Sequence, residues 1–209
     1  MIRRGRVEIS SGFFLMTALL LYLDTENLLL LAGLACAIHE CGHCAAVRLV
    51  GGRISRLRLT AVGGELQLDW RRPLTKTREL FCILAGPFMN LLTAWLLARK
   101  GAGETGQLLG GISVCLGVFN LLPIWPLDGG RVLQLLLEHL LPERWALHLV
   151  RGVSVLISGI LLFFGLLQIF YTGGNLTLCV LAAWLFIGIQ KRGEKTRRSH
   201  TQKIFLNGG

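Results

Sequence analysis

Two histidines and a glutamate, His39, Glu40 and His43, stand close together in the first quarter of the chain. On a helix, side chains four positions apart lie on one face, so the imidazoles of His39 and His43 can bind a single Zn²⁺ ion. Glu40 lies about 100° around the helix, where its carboxylate can reach a water on the metal without being a ligand. This spacing is typical of a zinc hydrolase in which Glu40 is the catalytic base.

The residues around this triplet are apolar. Every residue from Leu28 to Ile38 is apolar or glycine, and apolar residues resume after His43. Ionisable side chains are costly inside a bilayer, and those found there usually mark a functional site. We therefore interpret the triplet as a functional site at membrane depth.

The composition predicts an all-α polytopic membrane protein. Of the 209 residues, 53% are hydrophobic and 16% are charged, and the mean hydropathy is +0.58. A soluble domain carries about 25% charged residues. About six transmembrane helices are predicted from apolar runs that approach the ~20 residues of a span. The runs are Ile9 to Leu23, Leu28 to Val50, Leu80 to Ala98, Gln107 to Leu122, Val150 to Phe170 and Leu176 to Ile189.

The net charge of +10 comes from basic residues near the ends of these runs. Such a distribution is the positive-inside pattern of membrane proteins, and it predicts no nucleic-acid partner. It also predicts a multi-pass protein of the cell membrane with both termini in the cytoplasm. Residues 1–190 are predicted to form a transmembrane domain that carries the zinc site, and residues 191–209 a basic, flexible cytoplasmic tail.

A small β-hairpin associated with the membrane is predicted after the second run, over about residues 53–70. Hydrophobic residues alternate there with a period of two, and Gly63-Gly64 falls midway. A hairpin presents a sheet edge onto which an extended peptide can be added as a further strand. Gly63, Gly64 and Glu65 are therefore candidates for an edge that binds substrate.

A catalytic zinc ion takes three protein ligands and a water, so the histidine pair needs a third ligand. Asp128 is the first candidate because the predicted topology brings it to the depth of His39. It also follows a stretch broken by two prolines and precedes two glycines, which allow a close backbone approach. The alternatives are Glu65 or another acidic residue as the ligand, and Asp128 as the N-cap of a helix starting at Val132.

Other interpretations of these stretches remain open. Cys41 and Cys44 have the spacing of a dithiol oxidoreductase, but such a motif needs a helix N-terminus rather than mid-helix. Cys36, one turn before His39, is an alternative ligand. Two other functions are a non-catalytic zinc-binding membrane scaffold, in which Glu40 would have no role, and a metal-ion carrier. A carrier would need polar residues across the whole bilayer, whereas here they crowd one leaflet.

Three motifs together resemble the signatures of the site-2 protease family of intramembrane zinc metalloproteases, peptidase family M50. They are His39-Glu40-x-x-His43, Ala85-Gly86-Pro87-x-x-Asn90, and Asn120-x-x-Pro123-x-x-Pro126-Leu127-Asp128-Gly129-Gly130. The resemblance implies one Zn²⁺ per chain, bound by His39, His43 and Asp128, with Glu40 as general base. It also implies that Asn120 holds the substrate or its oxyanion.

Six spans without a PDZ insert resemble the branch of this family that includes the stage IV sporulation protein FB. Members of that branch cleave a membrane-associated pro-sigma factor in endospore formers. The implied partners are a membrane or membrane-tethered protein substrate, the lipid bilayer and inhibitory membrane proteins. The branch often carries a C-terminal CBS domain, which we expect to be missing from this chain.

Overall fold

A computed structural model of the protein describes residues 2–4, 7–9, 28–60, 63–69, 75–172 and 178–190. The chain divides into two compact units, residues 1–119 and 120–209. Apart from Ile9, the predicted first span lies outside the described residues, as does the predicted tail from residue 191.

The first unit contains four short strands and three helices. Its elements are β1 (Ile2–Arg4), β2 (Val7–Ile9), α1 (Leu28–Leu49), β3 (Arg53–Thr60), β4 (Gly63–Asp69), α2 (Lys76–Arg99) and α3 (Glu104–Asn120). The strands form one sheet in the order β1-β2-β3-β4, in which β2 and β3 are parallel and the other pairs antiparallel.

The pair β3 and β4 occupies the segment for which the sequence predicts a hairpin. Its register joins Arg53 to Asp69 at one end and Thr60 to Gly63 at the other, with an irregularity between Ile54 and Arg56. β4 is the last strand in the sheet order. The backbone of the predicted substrate edge therefore lies at the margin of the sheet.

Helix α1 ends where glycine allows the chain to turn. Gly51 has a φ of +83°, and its N–H donates to the carbonyl of Arg48 at 3.1 Å. The N–H of Gly52 donates to the carbonyl of Val47 at 2.8 Å. These two bonds form a Schellman cap, which satisfies carbonyls that the last turn leaves without helical partners.

Helices α1 and α2 pack closely because small residues face each other. A Cβ atom added to Gly42 would lie 2.5 Å from the carbonyl oxygen of Ala85. Nearby, Ala46 and Val47 of α1 are buried together with Cys82 of α2. Helix α2 starts at Lys76, four residues before the predicted run that begins at Leu80, and Pro87 lies within it.

The second unit contains α4 (Asp128–Leu140), α5 (Glu143–Thr172) and α6 (Leu178–Gln190). Helix α4 begins four residues before the predicted Val132, and its N-cap is Leu127. Asp128 thus lies in the first turn, so the alternative that it serves as an N-cap is wrong. Carboxylates are favoured in a first turn by the helix dipole.

Three of the described helices are long and apolar enough to cross a membrane. They are Leu28–Leu49, Lys76–Arg99 and the stretch Glu143–Ile169 of α5, with 22, 24 and 27 residues. At 1.5 Å per residue, each exceeds the hydrocarbon thickness of about 30 Å. These helices confirm the predicted helical class, while the count of six spans stays a prediction.

Candidate functional site

The histidine pair lies on the side of α1 that faces α2. His39 is buried, with 6% of its surface exposed, and His43 is half-buried. Their Nε2 atoms are 3.1 Å apart, and the two rings are nearly perpendicular, at 82°. Two nitrogens at 2.0–2.1 Å from one tetrahedral zinc ion are about 3.3 Å apart. The separation of the Nε2 atoms therefore fits the spacing that such an ion requires.

Helix α2 contacts the far side of each imidazole. The Nδ1 atom of His43 donates a hydrogen bond to the carbonyl oxygen of Cys82 at 2.8 Å. A carbonyl oxygen can only accept, so Nδ1 carries the proton and Nε2 of the neutral ring is left with its lone pair. The Nδ1 atom of His39 lies 3.2 Å from the amide nitrogen of Asn90, which is fully buried.

Gly86 makes room for both rings. A Cβ atom at this position would lie 2.3 Å from Nε2 of His43 and 2.8 Å from Nε2 of His39. Any side chain here would occupy the space in which the two nitrogens converge. Sequence reasoning singled out Gly86 only as a member of the Ala85-Gly86-Pro87-x-x-Asn90 motif and gave it no role at the site. The missed signal is periodic: Cys82, Gly86 and Asn90 follow one another at single-turn intervals, as His39 and His43 do.

Asp128 is presented by a loop that other parts of the second unit hold in place. Within residues 121–127, the carbonyl of Leu122 accepts from Ile124 N–H at 2.7 Å, and that of Ile124 accepts from Leu127 N–H at 2.8 Å. The N–H of Trp125 donates to the hydroxyl of Ser154 in α5 at 2.8 Å. These bonds give the interrupted backbone partners that a continuous helix would otherwise supply.

Three glycines bring backbones together around this loop. A Cβ atom on Gly129 would lie 2.1 Å from the carbonyl oxygen of Leu121, and one on Gly130 would lie 2.6 Å from the backbone of Ile124. In α6, a Cβ atom on Gly188 would lie 2.9 Å from the ring of Pro126. The first turn of α4 therefore packs directly against the loop that precedes Asp128.

His39 and His43 offer two imidazole nitrogens in the first unit, and Asp128 offers a carboxylate oxygen in the second. The side chain of Asp128 is 8% exposed. Two imidazole nitrogens and a carboxylate oxygen make a donor set suited to zinc, and three protein ligands are the number found in catalytic sites.

The other predicted residues have these positions. Glu40 follows His39 on α1 and is exposed at the protein surface. Asn120 is the last residue of α3 and is half-buried. Gly63, Gly64 and Glu65 begin β4. Cys36 is exposed on α1.

The dithiol interpretation finds no support in the helix that carries the cysteines. Cys41 and Cys44 are free thiols on α1, which begins at Leu28, more than three turns earlier. The helix N-terminus that activates a dithiol cysteine is therefore remote from both.

Comparison with known proteins relates the chain to a family of peptidases. Residues 96–164, which include Asn120 and Asp128, match the model of peptidase family M50. Stage IV sporulation protein FB of Bacillus subtilis (strain 168) is 33% identical over an alignment covering 68% of this chain and 51% of that protein. The zinc metalloprotease MJ0392 of Methanocaldococcus jannaschii is 24% identical, with 96% of this chain and 60% of the relative covered. The chain belongs to peptidase family M50, the family of the site-2 proteases.

A solved structure shares the fold. The site-2 protease from Methanocaldococcus jannaschii matches with a TM-score of 0.69 and 22% identity, over 91% of this chain and 93% of that one. The protein thus has the fold of a helical membrane metalloprotease. It spans about half to three fifths of the length of the two curated relatives.

Proposed function

We propose that this protein is an intramembrane zinc metalloprotease that hydrolyses a peptide bond of a transmembrane or membrane-associated protein. The observation that carries the proposal is the 3.1 Å approach of two Nε2 atoms on an apolar helix, with Glu40 beside them. A bare cluster of polar side chains at this depth would be costly. A bound cation shared by the two nitrogens removes that cost.

One Zn²⁺ per chain would be held by His39, His43 and Asp128. The donor types, the 3.1 Å separation of the two Nε2 atoms and the hydrogen bond that fixes the tautomer of His43 all support this assignment. When bound, the ion would polarise the substrate carbonyl and lower the pKa of a water to about 7. The zinc metalloprotease MJ0392, one of the relatives, carries that metal in its name.

Glu40 is the proposed general base. Its carboxylate takes a proton from the attacking water and returns it to the leaving amine nitrogen. The position of Glu40 directly after His39 on α1 supports this role. Asn120, at the end of α3, is proposed to donate an amide N–H to the substrate or its oxyanion.

The substrate would have to be extended at the point of cleavage, because a helix hides its peptide bonds. The edge strand β4, starting with Gly63, Gly64 and Glu65, is proposed to bind such a segment by strand addition. We further propose six spans, cytoplasmic termini and cleavage near the cytoplasmic leaflet, on the strength of the positive-inside pattern. Residues 1–190 would form this catalytic domain, with 191–209 as its tail.

Likeness to stage IV sporulation protein FB supports a sporulation role, with a membrane-associated pro-sigma factor as substrate. We also propose that membrane proteins act as inhibitors of access.

The test is co-expression with a membrane-associated pro-sigma factor, comparing the wild type with Glu40→Gln. The amide cannot accept the proton, so cleavage should fall about 10²–10⁴-fold while zinc content stays at one per chain. Glu104→Gln, an exposed carboxylate in the first turn of α3, is the matched control and should cleave normally. If the wild type binds zinc but cleaves neither this substrate nor other membrane-tethered proteins, the non-catalytic scaffold is favoured instead.

A further inference from the structure

Asn90 of α2 is a buried polar residue to which the proposed mechanism gives no role. It is fully buried, and its amide nitrogen Nδ2 lies 3.2 Å from Nδ1 of His39. Its Oδ1 atom has no hydrogen-bond partner within the part of the chain that the structure describes. A buried acceptor without a partner destabilises the folded protein, so a compensating role is expected.

The chemistry of His39 determines what that role requires. If His39 binds zinc through Nε2, its neutral ring must carry the proton on Nδ1. The neighbour of Nδ1 must then be an acceptor. A half-turn of the Asn90 amide about its terminal torsion exchanges Nδ2 for Oδ1 at this contact, without moving the rest of the side chain.

We propose that Asn90 is a positioning residue that fixes the tautomer and orientation of His39 by accepting a hydrogen bond from its Nδ1. The inference rests on the proposed zinc function of His39. It gives His39 the same support that the carbonyl of Cys82 gives His43. A histidine that binds a metal almost always donates its other N–H to such an acceptor, which orients the ring and raises its basicity.

The spacing on the two helices supports this assignment. Cys82 contacts His43, Gly86 lies against both rings, and Asn90 contacts His39. The contacts follow one another at single-turn intervals along α2. With the Asn90 amide turned by half a turn, one side of α2 offers an acceptor to each imidazole.

Three variants of the full-length protein in detergent micelles separate the possibilities. Asn90→Asp keeps an acceptor and cannot donate, whereas Asn90→Leu keeps the size and loses both functions. Ser113→Ala, at another buried polar position, on α3, is the control for packing. The measurement is zinc affinity by competition with a chelator, together with zinc content by atomic emission.

We expect Asn90→Leu to weaken zinc binding about 10–100-fold, the usual effect of losing a metal ligand's outer partner. Asn90→Asp should bind within about threefold of the wild type, because its carboxylate also accepts from Nδ1. Ser113→Ala should bind as the wild type does. Unchanged affinity in Asn90→Leu would overturn the inference. So would Asn90→Asp binding zinc no better than Asn90→Leu, because an acceptor at this position would then make no difference.

The outcome also separates this inference from the zinc function itself. Zinc binding that survives His39→Ala would overturn the metal centre and the role of Asn90 together. Wild-type binding that depends on His39 but not on Asn90 would overturn only the latter.

If Asn90→Leu fails to fold, the wild type provides the deciding measurement. In zinc-loaded protein labelled with ¹⁵N-histidine, the ring nitrogens of His39 should show a protonated Nδ1. A proton on Nε2 would overturn the inference.

Discussion

The histidine pair and the aspartate reach their positions by different routes. His39 and His43 lie one turn apart on the uninterrupted helix α1, and a single neighbouring helix, α2, contacts both rings. Asp128 instead follows a loop whose backbone is held by Ser154 and whose Pro126 ring lies against Gly188.

This difference shows two ways of fixing a ligand. The helix sets the distance between the imidazoles locally, so α2 has only to orient the rings. The loop has no regular hydrogen-bonding pattern that would fix the position of Asp128. That position depends instead on close backbone contacts at Gly129 and Gly130. We therefore expect changes beside the histidines to weaken metal binding more than changes beside the loop.

The largest effect is expected for Gly86→Ala. The added methyl group would lie 2.3 Å from Nε2 of His43, so the rings must move apart. Because a misplacement of about 1 Å can cost about 10²-fold, proteolysis should fall at least that far, and zinc content should fall with it. Gly33→Ala on α1, where nothing lies within 4 Å of the new atom, should behave as the wild type. Normal zinc content in Gly86→Ala would refute the close contact.

Gly129→Ala should have a smaller effect, and a graded one. Its methyl group would meet the carbonyl of Leu121 at 2.1 Å, and overpacking of this kind costs about 1–3 kcal/mol. We expect zinc affinity, measured by chelator competition, to fall about tenfold, since the histidine pair still binds the ion. Gly152→Ala, in an open position on α5, is the control. A complete loss of zinc here would mean that the loop is as decisive as the helix.

Ser154→Ala tests the hydrogen bond that holds the loop. The N–H of Trp125 would lose the hydroxyl acceptor, a loss worth about 1–3 kcal/mol for a buried group. A lower Tm in micelles is the expected result, with zinc affinity reduced less than in Gly129→Ala. Ser158→Ala removes a buried hydroxyl that has no partner among the described residues, and its Tm should stay close to that of the wild type. Equal losses in both variants would point to cavity formation instead.

The smallest effect is expected for Gly111→Ala, which touches neither region. Nothing lies within 4 Å of the added atom on α3. Alanine favours a helix over glycine by about 0.5–1 kcal/mol, so thermal stability should be unchanged or slightly raised. Cleavage outside a twofold range would show that α3 is coupled to the site.

The sequence predicts the parts of this protein that follow from local rules. Helical spacing placed His39 and His43 on one face, and apolar runs located α1 and α2 to within a few residues. The early start of α4 was missed, because it follows from contacts of Gly129 and Gly130 with a preceding backbone that no periodicity reveals.

The supporting residues were harder to predict than the ligands. Gly86 is inconspicuous in an apolar helix, and its role follows only from the distance to two rings on another helix. The same holds for Asn90, because its role at the site follows only from the contact of its amide with Nδ1 of His39.

The antiparallel match of α1 and α2 links the two imidazoles mechanically. Both outer partners, the carbonyl of Cys82 and the amide of Asn90, belong to one rigid rod. A slide of α2 by a single residue, about 1.5 Å along its axis, would pull both away at once. The register of α2 against α1 therefore determines whether both imidazoles keep these partners, so the two contacts should be kept or lost together.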